Sequence, residues 1–157
     1  MDEERRRALE QRRHQMQHRI GRRVERERIG FLLDHLASQG VGCDVVHEVD
    51  PLFEWLNATF PMERRGVDWE SVAGAASPAP AEDERAWLLA LATRHPGSVT
   101  VFRDGGDPAV RLQAAGFVAQ LDAMRYGSEL WIVPDARDWL LEWTDAGGWH
   151  WASAARP

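Results

Sequence analysis

The spacing of hydrophobic positions changes from a helical period to a strand period along the chain. Apolar residues recur every three or four positions in 2–38, 50–60, 82–94 and 114–125, which predicts helices. Short β-branched and aromatic runs bounded by Gly, Pro and Asp dominate from residue 98 to 154, which is typical of strands. This order predicts an α+β fold, with N-terminal helices followed by a mainly antiparallel sheet of about five strands and one inserted helix.

The first helical segment carries two apolar stripes. A thin one consists of Leu9, Met16, Ile20 and Val24, and a stronger one of Ile29, Leu32, Leu33 and Leu36. Gly21 and Gly30 each weaken a helix by roughly 1 kcal/mol relative to alanine, so we expect the segment to be broken.

The turn sequence TDAGG fixes the expected register of the last hairpin. A three-residue loop over 145–147, with Gly147 left-handed, sets Trp143 opposite Trp149 and Leu141 opposite Trp151. These four residues would share one face with Trp139. The other face would carry a more polar set, which predicts a wetter surface: Asp138, Leu140, Glu142 and His150. A turn over 104–108, DGGDP, is also predicted.

Tryptophan is concentrated near the end of the chain. Five of the eight tryptophans lie between Trp131 and Trp151. Indole rings are frequent anchors in cores and in interfaces, so the cluster is either a packed core or a docking surface.

Charge divides the chain into two parts. Residues 1–28 hold ten arginines against six acidic residues, whereas residues 29–157 hold nine against nineteen. We therefore distinguish a basic helical arm, 1–28, from a single acidic α+β domain, 29–157. An acidic domain disfavours nucleic acid and favours a basic partner, while the arm suits self-association.

Few residues point to catalysis. Cys43 is the only cysteine and lysine is absent, which excludes an internal disulfide, a thiolate metal cluster and a Schiff-base lysine. His14 and His18 lie one helical turn apart, but no third ligand is placed, so no metal or cofactor is predicted. His150, near Glu142 and Asp145 in the predicted hairpin, is the one candidate base, and a small enzyme stays an alternative.

Several stretches after residue 68 have a familiar layout: DWESV, DERAWLLAL, VTVFRD, ELWIVPDARDWLLEW and GWHWASA. A helix precedes an antiparallel sheet in which an ELWIV-like strand leads to a DWLLE-like strand. Residues 68–154 thereby resemble small cytosolic proteins of bacterial toxin–immunity systems. The resemblance implies a non-catalytic inhibitor that binds a toxin domain.

The expected function is therefore that of a protein-binding protein, an immunity protein that occludes a cognate toxin with a basic surface. The expected partner-binding residues are four acids and two aromatic anchors: Asp135, Asp138, Glu142, Asp145, Trp149 and Trp151. Alternatives are an oligomeric scaffold built on the arginine-rich helix and a phage-type inhibitor of a host defence protein. The charged N-terminus and the lack of a long apolar run predict a cytoplasmic protein without membrane contact.

Overall fold

The predicted helices are present in the computed structural model, which describes residues 3–64, 66–103, 107–127 and 129–154. Residues 1 and 2 of the predicted arm and 104–106 of the predicted turn lie outside this range. The helices are α1 (Glu3–Arg28), α2 (Gly30–Ser38), α3 (Asp50–Thr59), α4 (Glu84–Arg94), α5 (Ala114–Ala119) and α6 (Leu121–Met124).

Eight strands form two sheets. They are β1 (Cys43–Val46), β2 (Met62–Glu63), β3 (Gly66–Val67), β4 (Ser98–Phe102), β5 (Ala109–Gln113), β6 (Glu129–Pro134), β7 (Trp139–Thr144) and β8 (Gly148–Ser153). Six of them make one antiparallel sheet in the order β1-β5-β4-β6-β7-β8, and β2 pairs with β3 in a small hairpin. One turn of 3-10 helix, Trp69–Ser71, follows that hairpin. The α+β prediction is thus confirmed, with six strands in the main sheet rather than about five.

Both faces of the main sheet are covered. On one face α2, α4 and α5 pack through residues such as Leu32, Leu88 and Phe117 onto Leu141 and Trp149. A second apolar cluster on the other face contains α3, Val67 and the strand residues Phe102, Trp131, Leu140 and Ala152. The expectation of a wetter second face is therefore corrected, because α3 and the segment around β3 bury it.

The last hairpin has the predicted register. Trp143 pairs with Trp149 and Leu141 with Trp151, around a loop of residues 145–147. The left-handed glycine is Gly148, at φ 77°, rather than Gly147. The predicted single helix over 114–125 is interrupted at Gln120, which separates α5 from α6.

Helix α1 touches the rest of the chain only near its C-terminal end. Residues 6–24 are all exposed. Contacts with the body begin with the Arg22–Glu48 ion pair of 3.8 Å. They continue with Glu25, whose carboxylate lies 3.1 Å from the His47 ring, and with the Arg28–Asp107 ion pair. None of the helices in the described ranges combines the length and apolar character needed to cross a bilayer.

Candidate functional site

Three polar or amphipathic side chains stand in a row across the last three strands. Trp131 on β6 is paired with Glu142 on β7, and Glu142 is paired with His150 on β8. Directly opposed residues share a face of the sheet, so all three project toward β3 and the 3-10 turn. The hairpin register read from the sequence already set Glu142 opposite His150.

The carboxylate of Glu142 is buried and accepts three N–H groups. Oε1 receives the indole N–H of Trp131 at 2.6 Å and the backbone N–H of Val67 at 3.2 Å, and Oε2 receives the indole N–H of Trp69. The side chain is 1% exposed, and no arginine is among these partners. Burial raises the pKa of Glu142, and the three donors oppose this shift.

Gly66 lets the hairpin approach this carboxylate. Its φ is 131°, and a Cβ at this position would lie 2.5 Å from Oε1 of Glu142. A residue with a side chain would be strained there and would collide with the carboxylate. The β2–β3 hairpin and the following turn are therefore fitted closely onto Glu142.

Trp69 closes the site over His150. The two rings are stacked, with centroids 5.3 Å apart and an interplanar angle of 20°. His150 Nδ1 lies 2.8 Å from the Ser77 hydroxyl, and burial lowers the pKa of the imidazole, opposed by the Gly147 backbone. The ring therefore favours its neutral form at physiological pH.

An open cleft of about 770 Å³ lies above this row. One wall comes from Glu63 and the 67–70 segment, and the other from the ends of β6 and β7 with their turn. Six of its lining residues are acidic: Glu63, Asp68, Glu70, Glu129, Glu142 and Asp145. None of the described residues that line it is an arginine, so these carboxylates have no guanidinium partner among the described lining residues. We call this the acidic cleft.

A second groove of about 390 Å³ adjoins the acidic cleft and shares Glu63 and Glu129 with it. Its other lining residues include the side chains of Phe53, Met62 and Trp131 and the arginine Arg64. A ligand that crosses the shared carboxylates would therefore meet negative charge first and an aromatic wall next.

The structure brings together two of the four acids predicted to bind a partner. Glu142 is at the floor of the acidic cleft and Asp145 is exposed in its wall. Asp138 is exposed at the other end of β7 and does not line the cleft. Asp135 is held by Arg111, with Nε 2.9 Å from Oδ1, and this contact lowers the pKa of Asp135. Its charge is thus compensated within the chain.

The two predicted aromatic anchors lie on the opposite face from the acidic cleft. Trp149 is 1% exposed and packs edge-on against Phe117 at a centroid distance of 6.1 Å. As a partner-binding anchor it is corrected to a core residue, because reaching a partner would require opening the core. Trp151 is half-buried against His95, and its backbone pairs with Ala76.

Sequence reasoning missed the wall formed by Glu63 and residues 67–70. Two-residue strands give no periodic signal, and Trp69 lies outside the cluster of tryptophans between Trp131 and Trp151. Glu129 gives no signal in the sequence beyond its place in the ELWIV strand. The spacing of Asp68 and Glu70 around an aromatic residue was the one available hint of an acidic, aromatic surface.

The arrangement suits cation binding better than acid–base catalysis. Both oxygens of Glu142 accept hydrogen bonds from N–H donors, so none of these three partners could accept a proton from its carboxyl group. Uncompensated carboxylates beside an indole face attract guanidinium or ammonium groups. Within the described ranges, no three His, Cys, Asp or Glu side chains are grouped so as to hold a metal ion.

Comparison with known proteins gives no relative for this chain: no family model, no curated protein and no solved structure matches it.

Proposed function

We propose that the chain is a non-catalytic binding protein of the cytoplasm that neutralises a bacterial toxin domain by holding a basic segment of it in the acidic cleft. The observation that carries this proposal is a cleft of about 770 Å³ with six carboxylates and no arginine among its described lining residues. Like charges gathered in one cleft repel each other, so a cationic ligand relieves a cost already present in the free protein.

Accessible acids would make the first contacts. Glu63 and Asp145 are exposed and Glu129 is half-exposed, whereas Glu142 is sealed beneath them. Such groups speed encounter with a basic surface and select against acidic ones. Guanidinium groups suit the cleft best, since they form paired hydrogen bonds to carboxylates and stack on aromatic rings such as Trp69.

The adjoining groove defines the neighbouring part of the ligand. Phe53 and Trp131 line it, and the carboxylates of Glu63 and Glu129 stand between it and the acidic cleft. We therefore expect a basic side chain followed by an apolar or aromatic one in the bound segment. The class of partner is inferred from the resemblance of residues 68–154 to toxin–immunity proteins. A toxin segment that fills the acidic cleft and the adjoining groove at once would be occluded from its own target.

Comparative capture from the source cell tests this function. Wild-type protein, a cleft variant (Glu63→Gln, Glu129→Gln, Asp145→Asn) and a matched variant outside the cleft (Asp34→Asn, Glu54→Gln, Asp138→Asn) are used as baits. A basic protein retained by the first and third and lost by the second is the expected partner. Expressed alone it should stop growth, and co-expression of the wild-type chain should restore growth.

Other outcomes favour the alternatives. A captured host defence protein whose activity is blocked would favour the phage-type inhibitor. Equal capture by both variants would contradict the role of the cleft.

A small hydrolase is the second candidate, favoured by the Ser77–His150 contact of 2.8 Å. A histidine that contacts a serine is the start of a nucleophilic site. The other ring nitrogen, Nε2, lies toward the backbone of Gly147 rather than toward a carboxylate, so no acid orients the ring. Ester hydrolysis by wild-type protein that disappears in Ser77→Ala and His150→Ala would favour this candidate, and binding unchanged in Ser77→Ala favours the first.

A further inference from the structure

Exposed apolar side chains are concentrated on one helix. Six large hydrophobic residues are exposed in the described part of the chain, and only Leu89 lies elsewhere. The other five are 51–61% exposed and follow one another along α1 and the start of α2: Leu9, Met16, Ile20, Val24 and Phe31. Contiguous apolar side chains of this kind mark an interaction surface.

The four apolar residues on α1 form a narrow stripe. At 3.6 residues per turn, Leu9, Met16, Ile20 and Val24 fall within an arc of about 80°, close to the width of a coiled-coil seam. No other described element covers them, because residues 6–24 are exposed along their whole length. A helix of 26 residues standing away from the body needs such packing, since isolated helices are marginal in water.

The apolar positions around Ile20 are arranged symmetrically along the helix. Ile20 is the centre, and Met16 and Val24 stand four residues to either side. Two antiparallel copies would thus place an apolar residue against an apolar residue at each of these levels.

The charged residues on this side of α1 favour the same antiparallel arrangement. Between Leu9 and Glu27 the arc contains two charged residues, Arg13 and Glu27, each seven positions from Ile20 and opposite in sign. In an antiparallel pair centred on Ile20, Arg13 of one copy faces Glu27 of the other. A parallel, in-register pair would set Arg13 against Arg13 and Glu27 against Glu27, which is repulsive.

We propose that α1 is an interface between two copies of this chain, paired antiparallel with Ile20 on the two-fold axis. Isologous contact of this kind closes after two copies and leaves the acidic cleft, on the other part of the chain, out of the helix pairing. The arginines of the two helices repel, so the pair depends on its apolar seam and not on net charge.

The mass in solution tests the interface. Light scattering should give about twice the 17.8 kDa of one chain for the wild type. Ile20→Glu should lose the dimer, whereas Gln11→Glu, the same charge change on the far side of the helix, should keep it. Circular dichroism should show both variants folded, because both positions are exposed. A wild-type mass of one chain, or a dimer that survives Ile20→Glu, would overturn the proposal.

Charge reversal tests the orientation. Arg13→Glu and Glu27→Arg should each shift the dimer toward single chains, and the double variant should regain it. The exposed Arg23–Glu27 ion pair, 2.9 Å long, contributes little, so its loss does not account for such a shift. Failure of the double variant to regain the dimer would overturn the antiparallel register.

The salt dependence of the dimer distinguishes two possible partners of the apolar stripe, which are a second copy of the chain and an acidic surface. Added salt screens the repulsion between two basic helices, so the dimer should persist or strengthen. Dissociation by salt would indicate that the arm is held by acidic residues of the body, and would overturn the helix pairing.

Discussion

Trp131 and Glu142 face each other across β6 and β7, and the indole N–H of Trp131 donates to Oε1 of Glu142 at 2.6 Å. This contact links Trp131, which lines the second groove, to Glu142 in the acidic cleft. With Trp69 and Val67 as further donors, one buried carboxylate fastens the 66–69 segment to the main sheet. Glu142 therefore serves as the support of the cleft, while the exposed acids around it are its binding groups.

Trp131→Phe removes one donor from this buried carboxylate. We expect the free energy of unfolding to fall by about 1–3 kcal/mol, because a charged acceptor in the interior loses a partner. Trp139→Phe is the control: Trp139 is equally buried but has no contact with Glu142 in the structure. Urea unfolding of the single and double variants with Glu142→Gln should give a coupling energy of about 0.5 kcal/mol or more. Strictly additive changes in the free energy of unfolding would contradict a contact between Trp131 and Glu142.

The raised pKa of Glu142 makes stability depend on pH. Its carboxyl binds a proton more tightly in the folded chain than at its ordinary pKa of 4.5. The free energy of unfolding should therefore fall as pH rises from about 4.5 toward the higher folded pKa, because the folded state holds more protons in that window.

Glu142→Gln should lack this fall, which urea unfolding at a series of pH values would show. Asp135 acts in the opposite sense: its contact with Arg111 is lost only as pH falls below the ordinary pKa of 3.8. The two contributions thus occupy different pH ranges. Parallel profiles for the wild type and Glu142→Gln above pH 4.5 would contradict the burial argument.

Gly66→Ala tests the close fit of the hairpin. We expect a loss of about 2 kcal/mol or more, since the new Cβ would meet Glu142 Oε1 at a backbone conformation that alanine rarely adopts. Gly74→Ala is the control, because Gly74 also has a positive φ, 73°, but open space around it. Its cost should be roughly 1 kcal/mol. Equal losses for the two variants, measured by thermal unfolding, would show that the carboxylate is not in contact with residue 66.

Neutralising one acid of the cleft should stabilise the free protein slightly. Glu129 raises the pKa of Glu142 through charge repulsion, so Glu129→Gln should increase the free energy of unfolding by roughly 0.5 kcal/mol or less and lower the pKa of Glu142. The gain should shrink at high salt. Glu54→Gln, an exposed acid outside the cleft, should change neither quantity. A loss of stability in Glu129→Gln would indicate a favourable contact rather than repulsion.

The hairpin that holds half of the site could be predicted from sequence because its signals are local. A three-residue turn and strict alternation fix which residues oppose each other, and the register of Glu142, His150, Trp143 and Trp149 follows. The same alternation placed Trp149 and Trp151 on the face away from Glu142. Trp149 and Trp151 on β8 therefore cannot meet the same partner surface as Glu142 on β7.

The other half of the site depends on long-range packing that alternation cannot report. Glu142 lies 75 residues from Val67 in the chain, and the 66–69 segment gives no sign of which sheet face it covers. Alternation alone does not decide whether Leu140 and Ala152 face water or a core. In the structure both are buried in the cluster that contains α3. Burial of Glu142 is a consequence of the same long-range packing.

Binding of a short synthetic arginine-rich peptide is the most direct test of the acidic cleft. Isothermal titration at roughly physiological ionic strength would compare the wild type with the two triple variants of equal charge change. We expect equal affinity for the wild type and the variant at Asp34, Glu54 and Asp138. We expect a loss of about tenfold or more, ~1.4 kcal/mol, for the variant at Glu63, Glu129 and Asp145. Equal affinity for the two triple variants, or no binding by the wild type, would contradict this expectation.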